Sequence, residues 1–417
     1  MDITSLIIAF VKISVVLGGI MTAAAYFVLL ERRVAAWVQD RRGPNRVGLP
    51  LTKIRLFGLG QPLADGAKMI LKEEYTPAHV DRRLFVLAPI IIMSAALAVY
   101  AAIPFGSSLP PIPQLGINEP INLVIAPQLD VGMIYVFALS SIAVYGVILG
   151  GWASNNKYSF LGGLRSSAQM IAYELPLGLG LLGVILATGS LRLDAIVGQQ
   201  ADSVWFALAQ PLGFVVFVVA AFAEAGRLPF DLPECEQELI GGYHTEYSGM
   251  KLVLFLTAEF IHMITASFLI VILFLGGWHF PGITGGSETE ITWLLAALRI
   301  GVLLAKVFCV IFFFMLVRWS WPRFRFDQLM TLAWKIMLPL GVVNLISVAF
   351  ITEFQHPSYF GGRFADASPT TTLIVCAAGW VVAIVSWIVV ASLSPLVTDN
   401  RPRLDLDVYG VDSQLEP

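Results

Sequence analysis

Glu224, Asp231, Glu234, Glu236, Glu238 and Glu246 fall within residues 223–249, AEAGRLPFDLPECEQELIGGYHTEYSG, between two stretches that are otherwise apolar. Acids crowded in a water-poor setting disfavour simultaneous ionisation, so their pKa values rise and they share protons. That is the chemistry of a proton-responsive site. A local reading covers part of the set: Asp231, Pro233 and Glu234 have the spacing of a capped helix start, where acids also suit the helix dipole. Capping accounts for two of the six. If a helix runs on from there, Glu234 and Glu238 stand at i and i+4, a like-charge pair that is unfavourable unless a proton is shared.

More ionisable groups sit inside or at the edge of apolar runs: Glu174 in QMIAYELPLGLG, Glu259 with His262 in LTAEFIHMITA, Arg299 and Lys306 seven residues apart, and Lys335. A charge at the centre of a membrane span costs about 2.5–3.5 kcal/mol on insertion scales, so such groups face partners or a wet cavity. Glu259 and His262, three apart, share a helix face. Pro176, Gly178, Gly180 and Gly183 follow Glu174 and imply an irregular or closely packed helix beside it. Internal salt bridges are the plain alternative. They suit Lys12 and Lys335, which can snorkel, but the acids outnumber the bases at their depth. Arg299 and Lys306 are the counter-charge candidates.

The elements that must position these groups are membrane helices. The 417 residues are 57% hydrophobic and only 13% charged, with a mean hydropathy of +0.78, against roughly 25% charge in soluble domains. Nine stretches approach or exceed the roughly 20 apolar residues that cross a bilayer: about 6–30, 84–103, 131–150, 168–188, 206–222, 252–276, 295–317, 330–350 and 371–393. The expected fold is an all-α polytopic membrane protein of about nine transmembrane helices. It forms one membrane domain over 1–393, with a polar tail over 394–417. Residues 1–30 do not read as a removable signal peptide, since no basic segment precedes the apolar run. With alternating spans, nearly all loop Lys and Arg fall on one side and only Arg192 and Arg363 on the other. The positive-inside rule then puts the N-terminus outside and the C-terminus in the cytoplasm.

The first inside loop carries turn chemistry, QDRRGPNRVG, and then an amphipathic stretch, QPLADGAKMILKEE. There Leu63, Ala67, Ile70 and Leu71 share one face, and Asp65, Lys68 and Lys72 another. Such a helix lies along the membrane surface or roofs a cavity. Cys235, Cys309 and Cys376 are far apart and form no C-x-x-C, so no disulfide framework, iron–sulfur site or other metal site is expected.

Five motifs, ERRVAAWVQDRRGPNRVG, QPLADGAKMILKEE, GWASNNKYSFLGGLRSSAQMIAYELPLGL, RLPFDLPECEQELIGGYHTEYSGMK and RWSWPRFRFDQLMTLAWKIMLP, carry a family resemblance. Together they resemble the H-type membrane subunits of bacterial proton-pumping NADH:quinone oxidoreductase, respiratory complex I, which join its peripheral and membrane arms. The motifs are long, ordered along the chain and cover about 31–340. The sequence departs from the family at Ala225-Gly226, where Thr-Asn is usual, at Cys235, where Ala is common, and in its ninth span. The resemblance implies a quinone chamber at the junction with the peripheral arm, lined or supported by Arg32, Gln39, Arg41, Arg46, Asp65 and Lys68. It implies that the acidic loop faces the quinone head, and that Glu174, Glu224 and Glu259 continue into the membrane as a carboxylate chain. The substrate would be ubiquinone or menaquinone, and nothing would be bound covalently. FMN and iron–sulfur clusters would lie on partner subunits: the peripheral-arm quinone-site and iron–sulfur subunits, beside small membrane subunits and antiporter-like subunits. The location would be the bacterial plasma membrane. Two other functions stay open at the level of sequence: the membrane anchor of an energy-converting hydrogenase or other quinone-linked dehydrogenase, and a free-standing secondary transporter. The company the chain keeps separates them.

Overall fold

The computed structural model describes residues 3–48, 57–113, 119–127, 129–231, 239–285, 291–355 and 369–393. Glu234, Glu236 and Glu238 lie outside the described residues, as do Cys235 and the tail over 394–417. Among the described residues the secondary structure is helical apart from a short ribbon in which β1 (Ser108–Leu109) pairs antiparallel with β2 (Ile121–Asn122).

Among the described residues, eight helices are long and apolar enough to cross a membrane. They are α1 (Ile3–Val38), α3 (Arg82–Ala98, prolonged by a 3-10 turn to Ala101), α4 (Gly132–Ala153), α5 (Lys157–Thr188), α9 (Gly249–Phe274), α10 (Trp293–Ser320), the unit from Phe326 to Gln355, and α13 (Pro369–Leu393). That unit is α11 (Phe326–Thr331), a π-helical turn (Leu332–Met337) and α12 (Leu338–Gln355). Short helices α2 (Gln61–Leu71), α6 (Leu193–Asp202) and α7 (Phe206–Ala209) join them.

The expected fifth span is shorter than the apolar run. Pro211 cannot continue a helix from Phe206, so α7 closes with the Gln210 amide on the Phe206 carbonyl at 2.7 Å and α8 (Pro211–Glu224) starts afresh. Its 14 residues extend about 21 Å at 1.5 Å per residue, less than a hydrocarbon core of roughly 30 Å. Two of the spans that exceed their expected bounds begin or end in polar sequence. α1 runs through Glu31, Arg32 and Arg33 to Val38, because Val34, Ala35 and Ala36 after the charges are buried. α5 starts at Lys157, capped by the Asn156 side chain, which accepts from the Tyr158 amide at 3.0 Å. Its first turns bury Ser159, Gly162, Gly163, Ser166 and Ser167, the small residues that let membrane helices approach closely.

Helix ends gather on two faces. On one, rich in basic residues, the ends of α1, α3, α4, α5, α8, α9 and α10 meet: the Asp81 amide bonds the Ala153 carbonyl at 3.1 Å, Asn155 reaches the His79 carbonyl at 3.0 Å, and Ser248 donates to the Tyr75 carbonyl at 3.0 Å. The stacked rings of Phe85 and Tyr247, 3.9 Å apart, seal this face from within. At the opposite face, the Met133 amide bonds the Leu191 carbonyl at 3.2 Å, and the turn after α9 folds back on α6.

One close approach fixes the acidic segment against the bundle. Gly162 of α5 lies against the turn Gly242–His244, and a methyl group there would sit 2.7 Å from Gly242 Cα and 2.8 Å from the Tyr243 amide nitrogen. Both neighbours are backbone, so the helices must part. Gly162→Ala is expected to cost about 1–3 kcal/mol, read as a lower thermal midpoint of the detergent-solubilised protein, together with a loosened Tyr243.

Candidate functional site

The carboxylates inside the bundle belong to three neighbouring helices. Glu174 of α5 is half-buried beside the Ser141 hydroxyl of α4. Glu224 ends α8, within reach of the Ser140 hydroxyl and of the Glu174 charge. Glu259 lies about 15 Å into α9 from Gly249 at 1.5 Å per residue, and accepts from the Tyr243 hydroxyl at 2.9 Å. Two small cavities adjoin Glu224, and one of them also reaches Glu259. One is lined by Ser140, Glu224, His262 and Thr265, the other by Ser166, Glu224, Tyr243, Glu259 and His262. Each holds about 20 Å³, room for about one water. Glu224, Ala225 and His262 line both.

The loop after α8 is held by Gln169 of α5, whose amide donates to the carbonyls of Ala223 at 2.9 Å and Phe230 at 2.6 Å. It carries Asp231, which is 5% exposed and meets Arg323 at 3.3 Å. Glu246 sits apart from the cavities and accepts from Asn156, the cap of α5, at 2.6 Å. Next to it Tyr247 is buried, and burial raises its phenol above the ordinary value.

Sequence reasoning missed a buried ionic cluster between the acids and the basic face. Glu31 of α1 pairs with Arg227 at 3.4 Å and with Arg318 of α10. Arg227 stacks over the Phe260 ring at 4.1 Å. Side-chain exposures of 12% for Glu31 and 7% for Arg227 make this an interior pair. The available signal was the apolar VAAWV after Glu31-Arg32-Arg33, which continues the helix and carries Glu31 inside it. Tyr243, Ser140 and Ser141 were also missed, since hydroxyl residues near a carboxylate leave no pattern in sequence.

The basic-loop residues group differently. Arg32 pairs with Asp65 of α2 at 2.9 Å, with side chains 48% and 35% exposed, and Gln61 also donates to Asp65 at 2.8 Å. Arg41 donates to Gln39 at 2.7 Å. Gln39, Arg41, Arg46 and Lys68 are exposed. Helix α2 turns Leu63, Ile70 and Leu71 outward, while Asp65 faces α1. The structure thus joins Arg32 to Asp65 and Arg41 to Gln39, and leaves Arg46 and Lys68 exposed.

Arg299 and Lys306 lie toward the other face. Lys306 donates to the carbonyls of Leu275 and His279, each at 2.6 Å, and of Gly277 at 3.2 Å, with the Trp205 ring 4.4 Å away. Arg299 donates twice to the Thr284 carbonyl, at 3.1 and 3.2 Å. Leu275 is about 24 Å along the α9 direction from Glu259, so the turn after α9, not the carboxylate row, receives these charges. Burial lowers the pKa of His279 in that turn; its hydrogen bond to the Gly285 carbonyl opposes the shift, and the Lys306 and Arg299 charges add to it.

The chain is similar to known proteins over most of its length. A family model described as NADH dehydrogenase matches residues 11–349. The chain belongs to the NADH dehydrogenase family. It is 47% identical over 327 residues to an H-type subunit of the NADH-quinone oxidoreductase of Cytophaga hutchinsonii, covering 78% of this chain and 91% of that relative. It is 45% identical over 340 residues to an H-type subunit of the NADH-quinone oxidoreductase of Geobacter metallireducens, covering 82% and 95%. NADH-quinone oxidoreductase subunit 8 of Rhodothermus marinus is 44% identical over 342 residues, 80% of this chain and 94% of the relative. Within this family member, α13 lies beyond the residues that the family model matches. It packs on α7, α8 and α12, with Gly379 against the Ala209 carbonyl where α7 breaks.

Proposed function

We propose that the chain is a membrane subunit of a proton-translocating NADH:quinone oxidoreductase, respiratory complex I, in a bacterial plasma membrane, with its N-terminus outside and its C-terminus in the cytoplasm. The observation that carries the proposal is the group of intramembrane acids, Glu224 and Glu259 sharing a water-sized cavity and Glu174 close enough to Glu224 for their charges to interact, in a chain that belongs to the NADH dehydrogenase family. FMN and iron–sulfur clusters on partner subunits deliver electrons from NADH. The partners are the peripheral-arm quinone-site and iron–sulfur subunits, small membrane subunits and antiporter-like subunits.

The chain's own residues then have three tasks. Arg32, Gln39, Arg41, Arg46, Asp65 and Lys68 form part of the quinone chamber and complete it with the arm subunits. Quinone reduction to quinol takes up two electrons and two protons, which changes the charge next to Asp231, Glu234, Glu236, Glu238 and Glu246. Glu224, Glu259 and Glu174 respond by moving protons along the membrane interior, and this is the electrostatic link to proton translocation. Acids that share protons suit that task because a nearby charge change redistributes the protons among them.

Asp65 gives a test of the chamber assignment. Its exposed pair with Arg32 contributes at most about 1 kcal/mol to stability. Asp65→Asn is therefore expected to leave the thermal midpoint nearly unchanged while lowering quinone-linked NADH oxidation by about tenfold, a loss within the range for one positioned polar group. Unchanged quinone kinetics would remove Asp65 from the chamber.

The wider test is company. A C-terminally tagged chain, isolated from its host in mild detergent, is expected to bring flavin, iron and inhibitor-sensitive NADH:quinone activity with it. Elution alone with transport activity, or with nickel and hydrogenase activity, would contradict the proposal.

A further inference from the structure

His262 lies within α9, one helical turn beyond Glu259, and it lines both cavities that Glu224 lines. Its Nε2 is enclosed and has no hydrogen-bond partner among the described residues. A buried ring nitrogen left without a partner costs about 1–3 kcal/mol, so an apolar residue would be the more stable choice at a purely structural position. The adjoining cavities remove that cost if each holds a water, for which each has the volume. A water in the first has Ser140, Glu224 and His262 within its walls; a water in the second has Glu224, Tyr243, Glu259 and His262.

The charged and titratable groups around the imidazole are known by element: Glu224 from α8, Glu259 from α9 itself, and Tyr243 from the turn before α9, with Glu174 of α5 acting on Glu224. Among the described residues no Lys or Arg lines either cavity. An imidazole among acids, without a competing cation, can accept a proton on one nitrogen and return one from the other.

We propose that His262 is a proton-carrying residue of the path, passing protons between Glu224 and Glu259 through one water on each side; this rests on the function proposed above. In one transfer the Glu224 carboxylic acid releases a proton through the first water to the imidazole, giving a carboxylate and an imidazolium. The imidazolium then releases a proton through the second water to the Glu259 carboxylate. One proton moves from Glu224 to Glu259, the imidazole ends neutral, and no electrons move. Glu224 and Glu259 both line the second cavity, so a slower direct route stays available when the imidazole is replaced.

The test uses the assembled complex in native membrane vesicles carrying His262→Gln or His262→Asn, which keep a polar amide but cannot titrate. NADH oxidation by an artificial acceptor reports assembly and is expected at the wild-type level. Quinone-linked turnover and the proton pumping it drives are expected to fall about tenfold, a modest value for removing one positioned acid–base group. The solvent deuterium isotope effect should increase as proton transfer becomes limiting, and the pH profile should lose one inflection. A merely structural histidine would move neither of these.

If both variants keep wild-type turnover, pumping and isotope effect while Glu259→Gln pumps poorly, the relay is overturned and the carboxylate path stands. If Glu259→Gln also pumps normally, both fail. In case neither histidine variant assembles, redox-triggered infrared spectra of wild-type complex with isotopically labelled histidine decide the matter: an imidazole band that responds to quinone reduction supports the relay, and its absence overturns it.

Discussion

Glu259→Gln is expected to leave NADH oxidation by artificial acceptors at the wild-type rate and to lower quinone-linked proton pumping by at least about tenfold. The amide matches the carboxylate in size and its oxygen can still accept from Tyr243, now 2.9 Å away, so packing around α9 is preserved. What it loses is the ability to bind and release a proton. Glu259 shares a cavity with Glu224 and His262, and among the described residues no other carboxylate lines it. The row therefore ends short in this variant, and the loss appears in pumping and in the quinone turnover tied to it. Normal pumping would remove Glu259 from the path.

Glu31→Gln has the largest expected effect on stability. The Glu31 carboxylate stands between the guanidiniums of Arg227 and Arg318. Without its charge two cations remain inside the bundle, and breaking such a pair costs about 3–5 kcal/mol. The expected result is poor assembly, or a thermal midpoint well below that of the wild type. Adding Arg227→Met should restore part of the loss, because it removes one uncompensated charge while keeping contact with Phe260. A double variant no more stable than Glu31→Gln would show that the pair does not act as a unit.

The spans were legible because each is an apolar run of nearly sufficient length, and eight of them appear as helices long enough to cross a membrane. Their ends were less legible, for reasons of packing. The run SFLGGLRSSAQ looks like a polar loop, yet it is the start of α5, where Gly162 and Gly163 pack against Gly242 and Gly151. Arg32 and Arg33 look like the end of a span, yet α1 continues past them on buried Val34 and Ala36. Pro211 carried the signal for the break before α8.

The site divides in the same way. Intramembrane acids announce themselves by cost alone, so Glu174, Glu224 and Glu259 stood out. Their partners did not: Tyr243 reaches Glu259 across a turn, and Arg227 reaches Glu31 across 196 positions of sequence. The spacing of Arg299 and Lys306 placed them on one helix face, but the turn after α9 that offers them carbonyls forms only when α6, α9 and α10 pack together. Counter-charges cannot be assigned from spacing when backbone can serve instead.

The central claim is that the buried acids change protonation when quinone is reduced. Redox-triggered infrared difference spectroscopy of the purified complex measures this directly. Carboxyl bands are expected that appear with quinol formation, shift in D2O and are diminished in Glu224→Gln. A wild-type spectrum without carboxyl bands, or one that Glu224→Gln leaves unaltered, would contradict the claim.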